Sequence, residues 1–216
     1  MKHVILTFCV AAFFKIAAHG QGFVNLDFEA ARVIPVSTNA YGAVNIAVTN
    51  ALPGWAAFSG SNPLSTIPYN SPVSGPAPDV GLIGGNTNAI QGNFSVQLVG
   101  GSISQSGVIP SNAESLLFDT MFGTPSTIEL FLNGQDWSYM AVSNLVSYGG
   151  YTYTVYGADV SSFAGQVVKL AFSSGIGGGV LDDIRFSSAP VPEPGVFSLV
   201  CFGGGVLVYV IRRRHH

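Results

Sequence analysis

Residues Val196–Ile211 constrain this chain more than any other stretch: 16 residues carry no charge and run directly into Arg212-Arg213-Arg214. Upstream, Pro192 and Pro194 bracket Glu193. Proline breaks a helix interior and holds the residue before it extended, so the apolar run starts as a new element. As a helix it would rise about 24 Å at 1.5 Å per residue, slightly less than a bilayer core of about 30 Å. The arginines stay cytoplasmic by the positive-inside rule, which leaves everything before Pro192 outside. The expectation is a chain threaded through a membrane by its tail, with its body exported.

The beginning of the chain agrees with export. Lys2 is a short positive region, Val4–Phe14 an apolar stretch of 11 residues, and Ala18-His19-Gly20 offers small residues at the two sites a signal peptidase reads. Residues 1–20 are expected to be a signal peptide, cut before Gln21 by signal peptidase. Lys15 is out of keeping with the pattern. An uncleaved membrane helix is the competing reading, and the apolar stretch is short for it.

The three-part tail, residues 191–216, resembles the PEP-CTERM sorting signal of Gram-negative bacteria. Pro192, Glu193 and Pro194 match its motif, 196–211 its membrane helix, and Arg212, Arg213 and Arg214 its basic cluster. The resemblance implies a partner, the membrane protease-transpeptidase called exosortase. It also implies an inner-membrane-anchored precursor, then a product at the cell surface or in the extracellular matrix. Gly203-Gly204-Gly205 reads as a weak, easily processed helix rather than a helix-packing surface.

Between these signals, residues 21–190 are one domain's worth of chain, enough to bury a sizeable core. They hold three basic residues (Arg32, Lys169, Arg185) and ten acidic ones, a formal charge of −7. No basic patch exists, which argues against nucleic acid as a partner. Cys9 and Cys201, and all four histidines (His3, His19, His215, His216), fall outside this segment. That removes disulfides, thiol nucleophiles, Ser-His-Asp and Cys-His catalysis, and His or Cys metal sites from the domain.

The pattern within 21–190 predicts strands. Val24, Leu26 and Phe28 alternate with polar residues, which predicts a first strand over 22–29; Ala43–Val48 is a second β-prone run. Residues 59–92, punctuated by prolines and by Gly84-Gly85, read as long loops with one or two short strands. Phe94–Leu98 alternates cleanly, and Gly100-Gly101 reads as a hairpin-type turn into 103–107. Further strands are expected over 115–122, 127–132, 137–142, 151–156, 166–172 and 180–186. Ile128, Leu130 and Leu132, and Val168, Leu170 and Phe172, should face the core, and Asn133-Gly134 should turn. No 3.6-residue apolar period appears. The expected fold is an all-β sandwich.

Five motifs, taken in order, resemble the galactose-binding-like jelly rolls, the fold of many noncatalytic carbohydrate-binding modules. They are Asn25-Leu-Asp-Phe-Glu29, Leu52-Pro-Gly-Trp55, Gly92-Asn-Phe-Ser-Val-Gln-Leu98, the turn Asp159–Gln166, and Leu181-Asp-Asp-Ile-Arg-Phe186. The resemblance implies a jelly-roll β-sandwich over most of 22–187. It does not fix a ligand.

Two groups of residues are candidates for chemistry. Asp27 and Glu29 on the first strand, and Asp182 and Asp183 on the last, are the remaining acid pairs. Strand-edge solvation, a structural Ca²⁺ site and a glycosidase pair are the three readings. Asp182 shares strand parity with Ile184 and Phe186, which would point it inward, where a carboxylate needs a cation or several donors. Related jelly rolls often hold a calcium, so the resemblance favours Ca²⁺ as the one cofactor to test. Sugar-binding jelly rolls stack rings on exposed Trp or Tyr, which singles out Trp137, with Tyr139 beside it; Trp55 reads as core. The expected function is a noncatalytic surface or matrix protein that binds polysaccharide or packs with it. The alternatives are a carboxylate-pair glycan hydrolase and a purely structural envelope protein.

Overall fold

The computed structural model describes residues 22–40, 42–71, 79–85, 89–121, 128–146, 150–175 and 177–191. The expected leader, the Pro-Glu-Pro motif, the apolar run and the arginines lie outside them. In chain order the elements are β1 (Pro35–Thr38), β2 (Val44–Ala47), α1 (Val48–Ala51), β3 (Ala56–Ser59), β4 (Asn62–Pro63), β5 (Thr66–Tyr69), β6 (Val80–Gly84), β7 (Phe94–Leu98) and β8 (Gly101–Val108). There follow β9 (Ser115–Met121), β10 (Ile128–Leu132), β11 (Gln135–Asp136), β12 (Met140–Val146), β13 (Thr152–Asp159), β14 (Val167–Ser174) and β15 (Gly179–Ser187).

These strands form two sheets. A nine-stranded sheet runs β1-β2-β5-β6-β7-β15-β9-β13-β12, and a six-stranded sheet runs β11-β10-β14-β8-β3-β4. Alternation puts Leu130 and Leu132 of β10 and Val168, Leu170 and Phe172 of β14 on the inner face, as expected. They meet Ile46, Leu82, Val96, Leu98, Leu116 and Phe118 of the large sheet in one apolar core. Phe118 lies edge-on to Phe172 across the two layers, ring centroids 5.1 Å apart. The described residues form a mostly β, two-sheet structure, as the turn-punctuated sequence predicts. Asn133 (φ 52°) and Gly134 (φ 79°) make the predicted turn between β10 and β11, both in the left-handed region that a two-residue hairpin demands.

Four expectations fail. Residues 24–29 form a turn, not a strand: Asn25 and Phe28 take positive φ, and the Asn25 side-chain carbonyl accepts the Ala30 N–H at 2.9 Å. This local bond competes with a ladder. The turn still buries Phe28 against Trp55, ring centroids 5.9 Å apart, while the Trp55 indole N–H donates to the Asn25 carbonyl at 3.0 Å. Trp55 is core.

The proline-rich 59–92 region supplies three strands, β4, β5 and β6, rather than mostly loop. Pro68 sits inside β5, whose parallel pairing with β6 is confined to Tyr69 and Leu82. Asn70 continues the contact with its side chain: its amide donates to the Gly84 carbonyl at 3.0 Å and accepts the Gly84 N–H at 2.9 Å. Gly100-Gly101 does not close a hairpin. β7 pairs with β6 and β15, while β8 pairs with β14 and β3 in the other sheet, so the chain changes layers there. The predicted strand over 137–142 begins only at Met140, since Trp137–Tyr139 cross from β11 in the small sheet to β12 in the large one.

Candidate functional site

Two places gather the sequence candidates. The first lies on the outer face of the large sheet. Register is continuous along β15 to Asp182, then shifts before Arg185, and Asp183 takes φ 43° at the bulge. The bulge overturns the parity argument. Leu181 and Ile184 both reach the main core, whereas Val180 packs on the opposite face in a small cluster with Ile90, Met121, Tyr153 and Val155. Asp182 shares that outer face, directly opposite Asp119 of β9. It is nonetheless 1% exposed, because the segment around Ile90 and Gln91 covers it.

Donors surround Asp182. One carboxylate oxygen accepts the Gln91 backbone N–H at 3.0 Å and the Ser95 hydroxyl at 2.7 Å. The other accepts the Asp183 N–H at 2.7 Å. Burial outweighs these bonds and pushes its pKa up to about 7. Asp119 is fully buried and also shifted up by burial, although the Gln91 side-chain amide donates to it at 2.7 Å and Arg185 pairs with it at 3.2 Å. Arg185 also holds Asp183 at 2.5 Å. Asp119, Gln91 and Arg185 are thus central to this cluster. Sequence reasoning overlooked Asp119 because only strand pairing brings it opposite Asp182.

All four predicted acids line one pocket of about 220 Å³, with Gln91 and Gly92. The fold thus brings Asp27 and Glu29, which lie on a turn rather than a strand, to Asp182 and Asp183. The arrangement does not suit calcium. Glu29 spends both oxygens on the Asn93 N–H at 2.7 Å, the Phe94 N–H at 2.9 Å and the Asn93 side-chain amide at 2.9 Å. Asp182 spends both oxygens on the Gln91 and Asp183 N–H groups and the Ser95 hydroxyl, and Arg185 pairs with Asp119 and Asp183. Ca²⁺ prefers six to eight oxygens from ionised carboxylates and carbonyls. Among the described residues, no three His, Cys, Asp or Glu side chains gather in metal-holding geometry.

The second place lies where Trp137–Tyr139 bridge the sheets. The Trp137 indole N–H donates to the Asp159 carbonyl at 2.7 Å, and its ring meets the Phe163 ring edge-on at 5.0 Å. The ring stays half-buried and lines a groove of about 570 Å³ with Glu129, Asp136 and Tyr139, and another of about 300 Å³ with Asp136, Ser138 and Asp159. Tyr139 is more structural: its hydroxyl donates to the Ile128 carbonyl, and its ring packs edge-on against Phe118 and Tyr156. Burial pushes its pKa up to about 12. A third groove of about 400 Å³ joins Ser138–Met140 to Glu114, Asp159, Pro190 and Val191, where the described chain leaves the domain.

That exit leads into the tail. Residues 190–214 match the PEP-CTERM protein-sorting motif. The PEP-CTERM motif supports an exported protein sorted by exosortase, with a membrane-anchored precursor. No curated protein matches the chain. Among the described residues no helix is long and apolar enough to cross a membrane; the apolar run 196–211 lies beyond them.

Proposed function

We propose that this chain is a noncatalytic protein of the cell surface or extracellular matrix that contacts polysaccharide beside Trp137. The observation that carries this reading is the Trp137 ring. It is fixed by one hydrogen bond and one aromatic edge, yet it lines two open grooves among Asp136, Ser138 and Asp159. A sugar offers C–H faces to such a ring and hydroxyls to carboxylates and serines. The two-sheet architecture is compatible with a carbohydrate-binding jelly roll. Base-on-ring stacking is worth about 1–3 kcal/mol per contact, and a sugar should gain no more. One ring alone therefore falls short of the roughly 4 kcal/mol that a millimolar Kd requires; hydrogen bonds to the groove must add to it, and such weak binding becomes useful when many copies share a polymer.

A glycan hydrolase is the second reading, favoured by one observation: a carboxyl titrating near 7 is what a general acid needs. Against it, Asp182 is buried and spends both oxygens on protein donors. Retention on the polysaccharide of the producing cell separates the readings. Trp137→Ala should elute early and Trp137→Phe near wild type, with no reducing sugar released by either or by wild type. Turnover abolished by Asp182→Asn would replace binding with hydrolysis. Equal retention of wild type and Trp137→Ala would leave the structural role. Mass spectrometry of the surface form should find no peptide beyond about residue 195; one retaining Arg212–Arg214 where exosortase is active would refute processing.

A further inference from the structure

The chain leaves the domain beside its least protected sheet edge. Four strands end the two sheets: β1, β12, β11 and β4. β4 and β11 are two residues each, too short to template another strand. β1 is short, starts at Pro35 and carries a register shift. β12 is seven residues long, has no charge and no proline, and is exposed throughout, Val146 to 69%. Among the described residues its single defence is a register shift between Ala141 and Ser143. Folded proteins normally guard such an edge with charges, prolines or a cover.

Val191, the last described residue, lies on that same flank. Val142 and Val191 methyl carbons stand 3.0 and 3.1 Å from where a Cβ on Gly157 of β13 would be. Only four residues, 192–195, separate Val191 from the apolar run starting at Val196. Five residue steps reach at most about 18 Å. The far edge, β1, is eight strand spacings away in the sheet order, roughly 38 Å at about 4.8 Å each. In a precursor anchored by its tail, β12 is therefore held near the bilayer and β1 is not.

We propose that in the anchored precursor the β12 edge rests on the lipid surface, with Met140, Val142, Leu145 and Val146 against it. The inference rests on the membrane-anchored reading of the sorting motif. The occupant is lipid because the tether ends there. The contact is apolar and shallow: the strand brings no cation to attract anionic headgroups, and Asp136, Asp159 and Glu114 line the adjoining grooves.

The test places one nitroxide on the full chain, in a Cys9→Ser, Cys201→Ser background, after reconstitution into neutral phosphatidylcholine vesicles. Val146→Cys and Leu145→Cys label β12, and Val36→Cys labels β1; all three positions are exposed. Accessibility to membrane-soluble oxygen relative to an aqueous nickel chelate reports contact with lipid. The ratio should be several-fold higher at both β12 positions than at Val36. Equal ratios overturn the proposal. So does dipolar broadening at Val146 with a low oxygen ratio, which would make a second copy the occupant. A chain that fails to float with vesicles removes the anchoring reading itself, and the proposal with it; a chain that floats with equal ratios removes only the docking.

Discussion

Raising the pH from about 5 to about 8 should destabilise the domain, and Asp182 is the reason. Its carboxyl titrates near 7 in the folded protein, against an ordinary value of 3.8. Between those values the folded state holds a proton that the unfolded chain has lost. The associated stability is fully present below about pH 4 and is lost as pH rises through about 7. The linkage relation gives a loss of about 2.5 kcal/mol between pH 5 and pH 8. For a domain of this size that is roughly 5–10 °C in melting midpoint. Asp119, also raised by burial, adds a loss of the same sign. Asp159 is held down by its bonds from Ser161, so its contribution disappears only below the ordinary aspartate range, outside this window. Melting of residues 22–191, followed by circular dichroism at constant ionic strength, measures the slope. Asp182→Asn should lower stability at acid pH, because an amide cannot replace every acceptor, and should flatten the profile to the part owed to Asp119. A wild-type midpoint that is constant or rises from pH 5 to pH 8 would refute the reasoning, as would an Asn variant with the full slope.

Other substitutions probe packing and the acid pocket. Phe172→Ala removes a fully buried ring that packs on Phe118, and should cost about 3–5 kcal/mol in denaturant unfolding. Gly92→Ala should cost about 1–3 kcal/mol, since Gly92 has φ +55° and a Cβ there would stand 2.4 Å from Glu29 Oε1. Calcium and chelator should leave the melting midpoint where it is. A site on Asp27, Glu29, Asp182 and Asp183 would instead add roughly 2.7 kcal/mol at a hundredfold excess over Kd, and a calcium-dependent rise would restore that reading.

Much of this protein is legible without a structure. The tail is a linear signal, so prolines, an uncharged run and arginines in order are sufficient to read it. The strands β7, β10 and β14 follow from the alternation of apolar and polar residues, a property of each strand alone; β9 and β15 lack that alternation, most of their residues being buried whichever face they are on. Glycine and asparagine mark the β10–β11 turn by the φ that the turn requires. The absence of histidine and cysteine from 21–190 narrows the chemistry by composition. What failed depends on side-chain bonds to the backbone and on partners distant in sequence. Residues 24–29 alternate like a strand, yet side-chain bonds fold them into a turn that clasps Trp55. The parity of Asp182 holds only for an unbroken strand, and the bulge at Asp183 sends it to the other face. Its raised pKa needs the cover of Gln91 and the pairing with Asp119, contacts spanning 91 residues for the first. Trp137 is exposed enough to line a groove only because Phe163 and the Asp159 carbonyl hold its other edge. A sequence specifies which residues prefer burial and which turns are allowed; the pairing of strands decides which carboxylates meet, what covers them, and hence how strongly they hold their protons.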